Sequence, residues 1–135
     1  MREDALRSIA AFIKENDDFT VVAHTAPDGD TLGASLALYG VLVRIGKRAA
    51  VVCEQPVPHT YAFLPGAEHV LLPEDARQTE HVIAVDCADR ARMGAALRLF
   101  DGGGKRTLVY HRENVALFHK VALLEPDFGN LTRNL

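Results

Sequence analysis

The chain contains no tryptophan, only two cysteines among 135 residues, and little excess charge of either sign. Its formal net charge is −3 with the six histidines neutral, so it lacks the basic surplus with which proteins bind long duplex nucleic acid through its phosphates. We therefore expect no duplex nucleic acid among its partners. A small phosphorylated ligand remains compatible with this charge, because bound cations can neutralise phosphates.

Two further absences limit where the chain works. The cysteines, Cys53 and Cys87, lie inside apolar runs without a CxxC spacing, which predicts reduced, buried thiols rather than a disulfide or a zinc site. No run approaches the ~18 apolar residues of a membrane span, and the opening MREDALRSIA lacks the apolar core of a signal peptide. We expect a cytoplasmic protein that does not bind membranes.

What is present is an alternation of helical and extended patterns. Hydrophobic residues make up 48% and charged residues 24%, as in ordinary globular domains. Apolar spacing predicts a helix over 3–15, a second one capped by Asp30 or Thr31 and ending at Gly46, and shorter ones near 61–63 and over 89–99. Apolar, β-branched runs predict strands at 19–23, 49–53, 70–72, 81–85, 107–110 and 121–124, with a turn at 101–105. The chain is expected to be a single α/β domain, with a mostly parallel sheet and helices on both faces.

Polar residues follow three of the predicted strands. In open α/β sheets, ligands collect at the carboxyl ends of the strands, where loops converge. His24 follows the first strand, Asp86 follows HVIAV and His111 follows TLVY, while Asp28 and Asp30 lie in the loop after His24. These five side chains are candidate metal ligands at one edge of the sheet. Imidazole and carboxylate donors together favour borderline divalent ions such as manganese, iron, cobalt or zinc over calcium.

Plainer interpretations of the same residues stay open. Asp28-Gly29-Asp30 is also typical of a polar turn in which Asp30 caps a helix, and Asp86 could likewise cap the segment that follows it. His111 alone would usually be a surface or core histidine. The coincidence of all five residues at one edge favours the metal site, where Asp86 could bridge two ions ~3.5–4 Å apart.

Three segments resemble the DHH superfamily of phosphoesterases. VVAHTAPDGDTLGASLAL resembles its first motif, HVIAVDCADRARMG resembles its second, and YAFLPGAEHV resembles a segment of the oligoribonuclease and phosphoadenosine-phosphate phosphatase branch. The resemblance implies one manganese bound by His24, Asp28 and Asp86, and a second bound by Asp30 and Asp86. It also implies hydrolysis of a small nucleotide or a short single-stranded oligonucleotide.

The chain departs from the family in its last forty residues. TLVYHR stands where the family's Asp-His-His triplet ends a strand, which places Tyr110, His111 and Arg112 on the triplet; a register shifted by one residue would place Val109, Tyr110 and His111 there. In the first register His111 keeps its role as a ligand of the second metal and a catalytic residue beside Asp86, and Arg112 becomes the substrate-binding residue, since arginine binds phosphate bidentately. By the same resemblance, residues 1–135 form a phosphoesterase domain that is incomplete at its C-terminus and lacks the family's second, substrate-binding domain.

Two functions therefore remain as hypotheses. One is a manganese-dependent phosphoesterase domain, favoured by the intact first motif. The other is a catalytically impaired or truncated domain that serves as a metal- or nucleotide-binding module, favoured by Tyr110 and Arg112. The sequence leaves homo-oligomerisation open.

Overall fold

The computed structural model describes residues 3–25, 28–85, 90–102 and 105–109. These residues form three α-helices, α1 (Glu3–Glu15), α2 (Gly29–Arg44) and α3 (Leu97–Gly102), and five strands, β1 (Phe19–Ala23), β2 (Ala49–Val52), β3 (Val70–Leu71), β4 (His81–Val85) and β5 (Lys105–Val109). The same residues also contain short 3-10 helices, at His59–Tyr61, Ala67–His69, Pro73–Asp75 and Arg90–Ala96.

The five strands form one sheet in the order β3-β2-β1-β4-β5, and each of its pairings is parallel. The first strand of the chain thus lies in the middle, with β2 on one side and β4 on the other. This arrangement confirms the predicted α/β class and its parallel sheet. The apolar, β-branched runs form strands because both of their faces are buried, as parallel sheets require.

Each face of the sheet carries its own hydrophobic cluster. Val21 points to the face covered by α1 and α2, where Ile13 and Leu42 are fully or almost fully buried. Val22, the next residue, points to the opposite face and packs in a cluster with Leu99 of α3. The alternation along β1 therefore buries one set of side chains on each side, and the prediction of helices on both faces is confirmed.

The N-cap of α2 lies two residues before Asp30 and three before Thr31, the two predicted caps. Asp28 is the N-cap: its backbone is extended (φ −100°, ψ −177°) and its Oδ1 accepts the Thr31 N–H at 2.9 Å. Asp28 rather than Asp30 is the cap, because Asp28 lies three residues before the N–H that its side chain accepts, which is the geometry of an N-cap. At the other end, Gly46 follows the last turn with φ +85°, so the predicted stop is confirmed.

The predicted helix over 89–99 is wrong in its form. A 3-10 segment, Arg90–Ala96, is interrupted at Gly94 (φ 54°, ψ −132°), and α3 follows as far as Gly102. Glycine adopts this backbone conformation without a steric penalty, and it divides one helix into two short pieces. The turn expected at 101–105 is displaced, since α3 continues to Gly102 and β5 already begins at Lys105.

Several predictions fall on residues outside those described, among them the strand at 121–124 and the state of Cys87. Cys53 is buried with a free thiol, as predicted. Among the helices of the described segments, none has the length and apolar character needed to cross a bilayer.

Candidate metal centre

The carboxyl ends of three neighbouring strands lie level with one another. Ala23 at the end of β1 pairs with Val85 at the end of β4, and Val85 pairs with Val109 at the end of β5. His24 comes directly after this row. Asp86 and His111 follow β4 and β5 in sequence but, like Tyr110 and Arg112, they lie outside the described residues. The register thus aligns the strand ends from which three predicted ligands continue.

His24 is held in one tautomer. The side chain is 5% exposed, and its Nδ1 forms a hydrogen bond with the carbonyl oxygen of Thr25. A carbonyl oxygen only accepts, so Nδ1 carries the hydrogen and the lone pair of the neutral ring is on Nε2. Metal-binding histidines commonly donate their other ring N–H to a backbone carbonyl in this way. The imidazole therefore fits a metal ligand that binds through Nε2.

The backbone of His24 is also tied to the neighbouring strand. The thiol of Cys53, directly after β2, donates to the His24 carbonyl oxygen at 3.5 Å. Burial raises the pKa of this thiol, which keeps it protonated as a donor. The position of His24 at the strand end is thus supported from β1 and from β2.

Asp28 is the second predicted ligand in the described part of the chain. The backbone N–H of Thr31 is the main group that lowers the pKa of this carboxyl, against the opposing effect of burial. The Thr31 hydroxyl, and His24 when its ring is protonated, lower the pKa further. A carboxyl that is ionised well below neutral pH is ready to bind a metal, because ligands must be deprotonated.

Asp30 lies in the first turn of α2, one residue after Gly29, and its side chain is outside the described part of the structure. The start of a helix favours negative charge, since unpaired N–H groups and the helix dipole point there. The predicted role of Asp30 at a second metal stays a prediction.

Two residues near this edge were missed by sequence reasoning. The ring of Tyr61 packs on the start of α2, where a Cβ on Gly29 would lie 3.2 Å from Tyr61 Cε1. Glu54 stands two residues after β2, and its Oε1 accepts the Ala95 N–H at 3.0 Å. The signal for Glu54 was present, because the strand-end rule applies to AAVVC as it does to the other three strands.

The described residues alone do not assemble a complete metal cluster: no three of their His, Cys, Asp or Glu side chains group together as ligands. His24 and Asp28 supply one nitrogen and one oxygen donor, a set that suits manganese or a similar ion. The remaining predicted ligands are those whose side chains fall outside the description, so the complete centre remains a prediction.

Comparison with known proteins gives a relative in sequence and a neighbour in structure. The chain is 33% identical over 92 residues to the bifunctional oligoribonuclease and PAP phosphatase NrnA of Thermus thermophilus, a match that covers 67% of this chain and 28% of that protein. The fold is similar to that of an exopolyphosphatase-related protein from Bacteroides fragilis, with a TM-score of 0.80 and 18% identity over 96% of this chain and 46% of that one. No protein-family profile matches the chain.

The chain thus spans less than half the length of either protein, and the second likeness concerns the fold alone. The sequence match to the oligoribonuclease and the shared α/β fold are the two findings that bear on the family of this chain. Together they support a distant relationship of this chain with the DHH-like phosphoesterases.

Proposed function

We propose that this chain is a manganese-dependent phosphoesterase domain that hydrolyses short oligonucleotides or small nucleotide phosphoesters. The observation that carries the proposal is the pair His24 and Asp28 at the level edge of β1, β4 and β5. His24 is restricted to the tautomer with a lone pair on Nε2, and the pKa of Asp28, four residues later, is lowered by hydrogen bonds from Thr31. The similarity to an oligoribonuclease and PAP phosphatase supports the substrate class.

Each residue has a stated task in this proposal. His24, Asp28 and Asp86 would hold one manganese ion, and Asp30, Asp86 and His111 a second. When bound, such ions lower the pKa of a water and neutralise the phosphoryl oxygens. The chain itself contributes orientation: the Thr25 carbonyl holds the His24 ring, and hydrogen bonds from Thr31 keep the Asp28 carboxyl ionised.

A second candidate, a binding module without turnover, is favoured by Tyr110 and Arg112 at the place of the family triplet. Arginine binds a phosphate through two parallel hydrogen bonds, but its very high pKa prevents it from transferring protons near neutral pH. A metal-ligating histidine that loses its acidic partner typically binds metal about 10–100-fold more weakly. Such a domain would bind metal and nucleotide while hydrolysing little.

The test is a calorimetric titration with manganese, followed by assays of mononucleotide release from a short RNA and of phosphate release from phosphoadenosine phosphate. An enzyme should turn over at least one substrate and lose this activity in Asp86→Ala. A module should bind manganese, lose that binding in His24→Ala and release no product. His59→Ala serves as the control, because this histidine is exposed in the 3-10 helix His59–Tyr61. A wild-type chain that binds no manganese contradicts both versions.

A further inference from the structure

The carbonyl oxygen of His24 lies just beyond the paired part of the sheet. The pairing of β1 with β2 ends at Val22, and its pairing with β4 ends at Ala23. His24 is the next residue, and its carbonyl oxygen accepts a hydrogen bond from a side chain, that of Cys53. A thiol thus continues the connection between β1 and β2 past the point where their backbone pairing stops.

The thiol is well placed to hold this carbonyl. Sγ of Cys53 lies 3.5 Å from the His24 oxygen, and the two residues are 0% and 5% exposed. Cys53 is itself fixed, because its backbone N–H donates to the carbonyl of Leu71 in the edge strand β3 at 3.1 Å. Because the contact is buried, water does not readily take over the role of the donor.

The carbonyl and the ring of His24 are coupled through one peptide plane. The carbonyl belongs to the planar peptide group that joins His24 to Thr25. The ring Nδ1 donates to the carbonyl oxygen of Thr25, at the far side of that plane. Once the plane is fixed, the acceptor of the ring can move only by rotations within Thr25. The orientation of the plane therefore directs the ring and the lone pair on Nε2.

We propose that Cys53 is a positioning residue of the candidate metal centre. Its thiol fixes the peptide between His24 and Thr25, and thereby the direction in which His24 presents Nε2. The inference rests on the proposed function, since His24 matters here as a metal ligand. It goes beyond that function by giving a task to a residue outside the proposed ligands and by connecting the edge strand β3 to the site.

The test compares Cys53→Ala with Cys53→Ser. Alanine removes the donor, whereas the serine hydroxyl can still donate to the His24 carbonyl. The first measurement is nitrogen NMR of the His24 ring in the metal-free protein, at a pH high enough to keep the ring neutral. We expect a single tautomer, with the hydrogen on Nδ1, in the wild type and in Cys53→Ser, and a mixture of the two tautomers in Cys53→Ala.

The second measurement is a calorimetric titration with manganese. Affinity should fall about 10-fold in Cys53→Ala, the lower end of the loss that follows removal of a group behind a ligand histidine, and return to within about 3-fold of the wild type in Cys53→Ser. Val51→Ala is the matched control, because it removes buried volume from β2 and leaves the thiol in place. It should lower the free energy of unfolding but change neither the tautomer nor the affinity.

The outcomes separate this proposal from the proposed function. Wild-type behaviour of Cys53→Ala in both measurements would overturn the positioning role. Equal effects in Cys53→Ala and Cys53→Ser would overturn it too, because the sulfur rather than the donated hydrogen would then be what matters, and so would the same effects in Val51→Ala. If the wild-type protein binds no manganese, the proposed function fails, whereas mixed tautomers in Cys53→Ala alone would still establish that Cys53 orients the His24 ring.

Discussion

At the level of single residues, Asp28 combines a helix cap with the role of a candidate metal ligand. Its Oδ1 accepts the Thr31 N–H, and this hydrogen bond is the main reason that the pKa of the carboxyl is lowered. The two tasks need different properties of the side chain. Capping needs only an oxygen that accepts a hydrogen bond, whereas metal binding also needs the negative charge.

Substitution of Asp28 should separate these tasks. Asp28→Ala is expected to lower the free energy of unfolding by about 0.5–2 kcal/mol, because the cap is lost. Asp28→Asn should stay close to the wild type in stability, since asparagine caps nearly as well as aspartate. Both variants should bind manganese more weakly. Urea denaturation and manganese titration measure the two effects, and an alanine variant as stable as the wild type would contradict the capping role.

The position of this cap marks a limit of sequence reasoning at the residue scale. Asp28 and Asp30 are the same residue type on either side of Gly29, and the sequence predicted a cap at Asp30 or Thr31. The decisive fact is which carboxylate meets an N–H three residues later, and this depends on the path of the loop after β1. Apolar periodicity carries no information about that path, so the ligand types were predicted while their local geometry was not.

At the level of elements, the turn between α1 and β1 forms hydrogen bonds at the amino ends of the strands, opposite the candidate metal centre. Asp17 Oδ1 accepts the Arg48 N–H at 2.7 Å, and its Oδ2 accepts from Arg48 Nε at 3.1 Å. Asp18, next in sequence, has φ +68° and accepts hydrogen bonds from Arg77 and from the Glu80 N–H. One turn thus contacts the residues that lead into β2 and into β4.

These carboxylates should make stability fall in acid. The Arg48 backbone N–H is the main reason that the pKa of Asp17 is lowered from 3.8 to about 2. A pKa lower in the folded state means that the stabilisation is present above the unfolded value and is lost as the pH falls from about 4 to about 2. In Asp17→Asn this part of the pH dependence should disappear. Urea midpoints measured from pH 4 to pH 2 test this prediction. If the midpoint of the variant depends on pH as steeply as that of the wild type, the hydrogen bond between Asp17 and Arg48 does not cause the effect.

A buried pair of hydroxyls should show an asymmetry between its members. Thr79 Oγ1 donates to the His81 carbonyl at 3.0 Å, so in the 2.6 Å contact between the two hydroxyls it is Thr20 that donates to Thr79. Thr79→Val removes both bonds and leaves the Thr20 hydroxyl buried without an acceptor, which should cost about 1–3 kcal/mol. Thr20→Val removes one bond and should cost about 0.5–1.5 kcal/mol. Urea denaturation of both variants measures the two losses. A larger loss of unfolding free energy in Thr20→Val than in Thr79→Val would contradict this direction of donation.

Elements were predicted well where burial dominates and poorly where backbone geometry does. FTVVA and HVIAV became β1 and β4 with the expected bounds, because an apolar, β-branched run buried on both faces has few alternatives. The segment Arg90–Ala96 was expected to be part of a regular helix, and Gly94 interrupts it. A single glycine in a helical pattern is usually tolerated, so the pattern does not reveal that this one adopts a positive φ.

At the level of the whole molecule, two separate clusters on the faces of one sheet should unfold together. Leu42→Ala on the α2 face and Leu99→Ala on the α3 face are each expected to lower the free energy of unfolding by about 2–5 kcal/mol, since both side chains are fully buried. Val43→Ala is the control, because this valine is adjacent to Leu42 but 47% exposed. The substitution should change the free energy of unfolding by no more than about 0.5 kcal/mol. Circular dichroism and tyrosine fluorescence should report coincident urea transitions, and two separate transitions would show that the faces unfold independently.

The overall architecture was only partly accessible from the sequence. The alternation of patterns predicted the α/β class and placed His24 and Asp86 at strand ends on one edge. The order of the strands was not predicted, because local periodicity does not specify which strands pair. That order decides which polar residues meet, and it explains why the contact between Glu54 and Ala95 was missed.

The central position of β1 has a consequence for synthesis on the ribosome. Of the five described strands, β1 is the first to be made, and β2 follows it after α2, but its second neighbour, β4, ends only at Val85. At about 5–20 residues per second, the side of β1 that will pair with β4 waits about 2–7 s after β2 is complete. During that interval an apolar strand, FTVVA, exposes unpaired backbone groups, which leaves it open to aggregation or to capture by a chaperone.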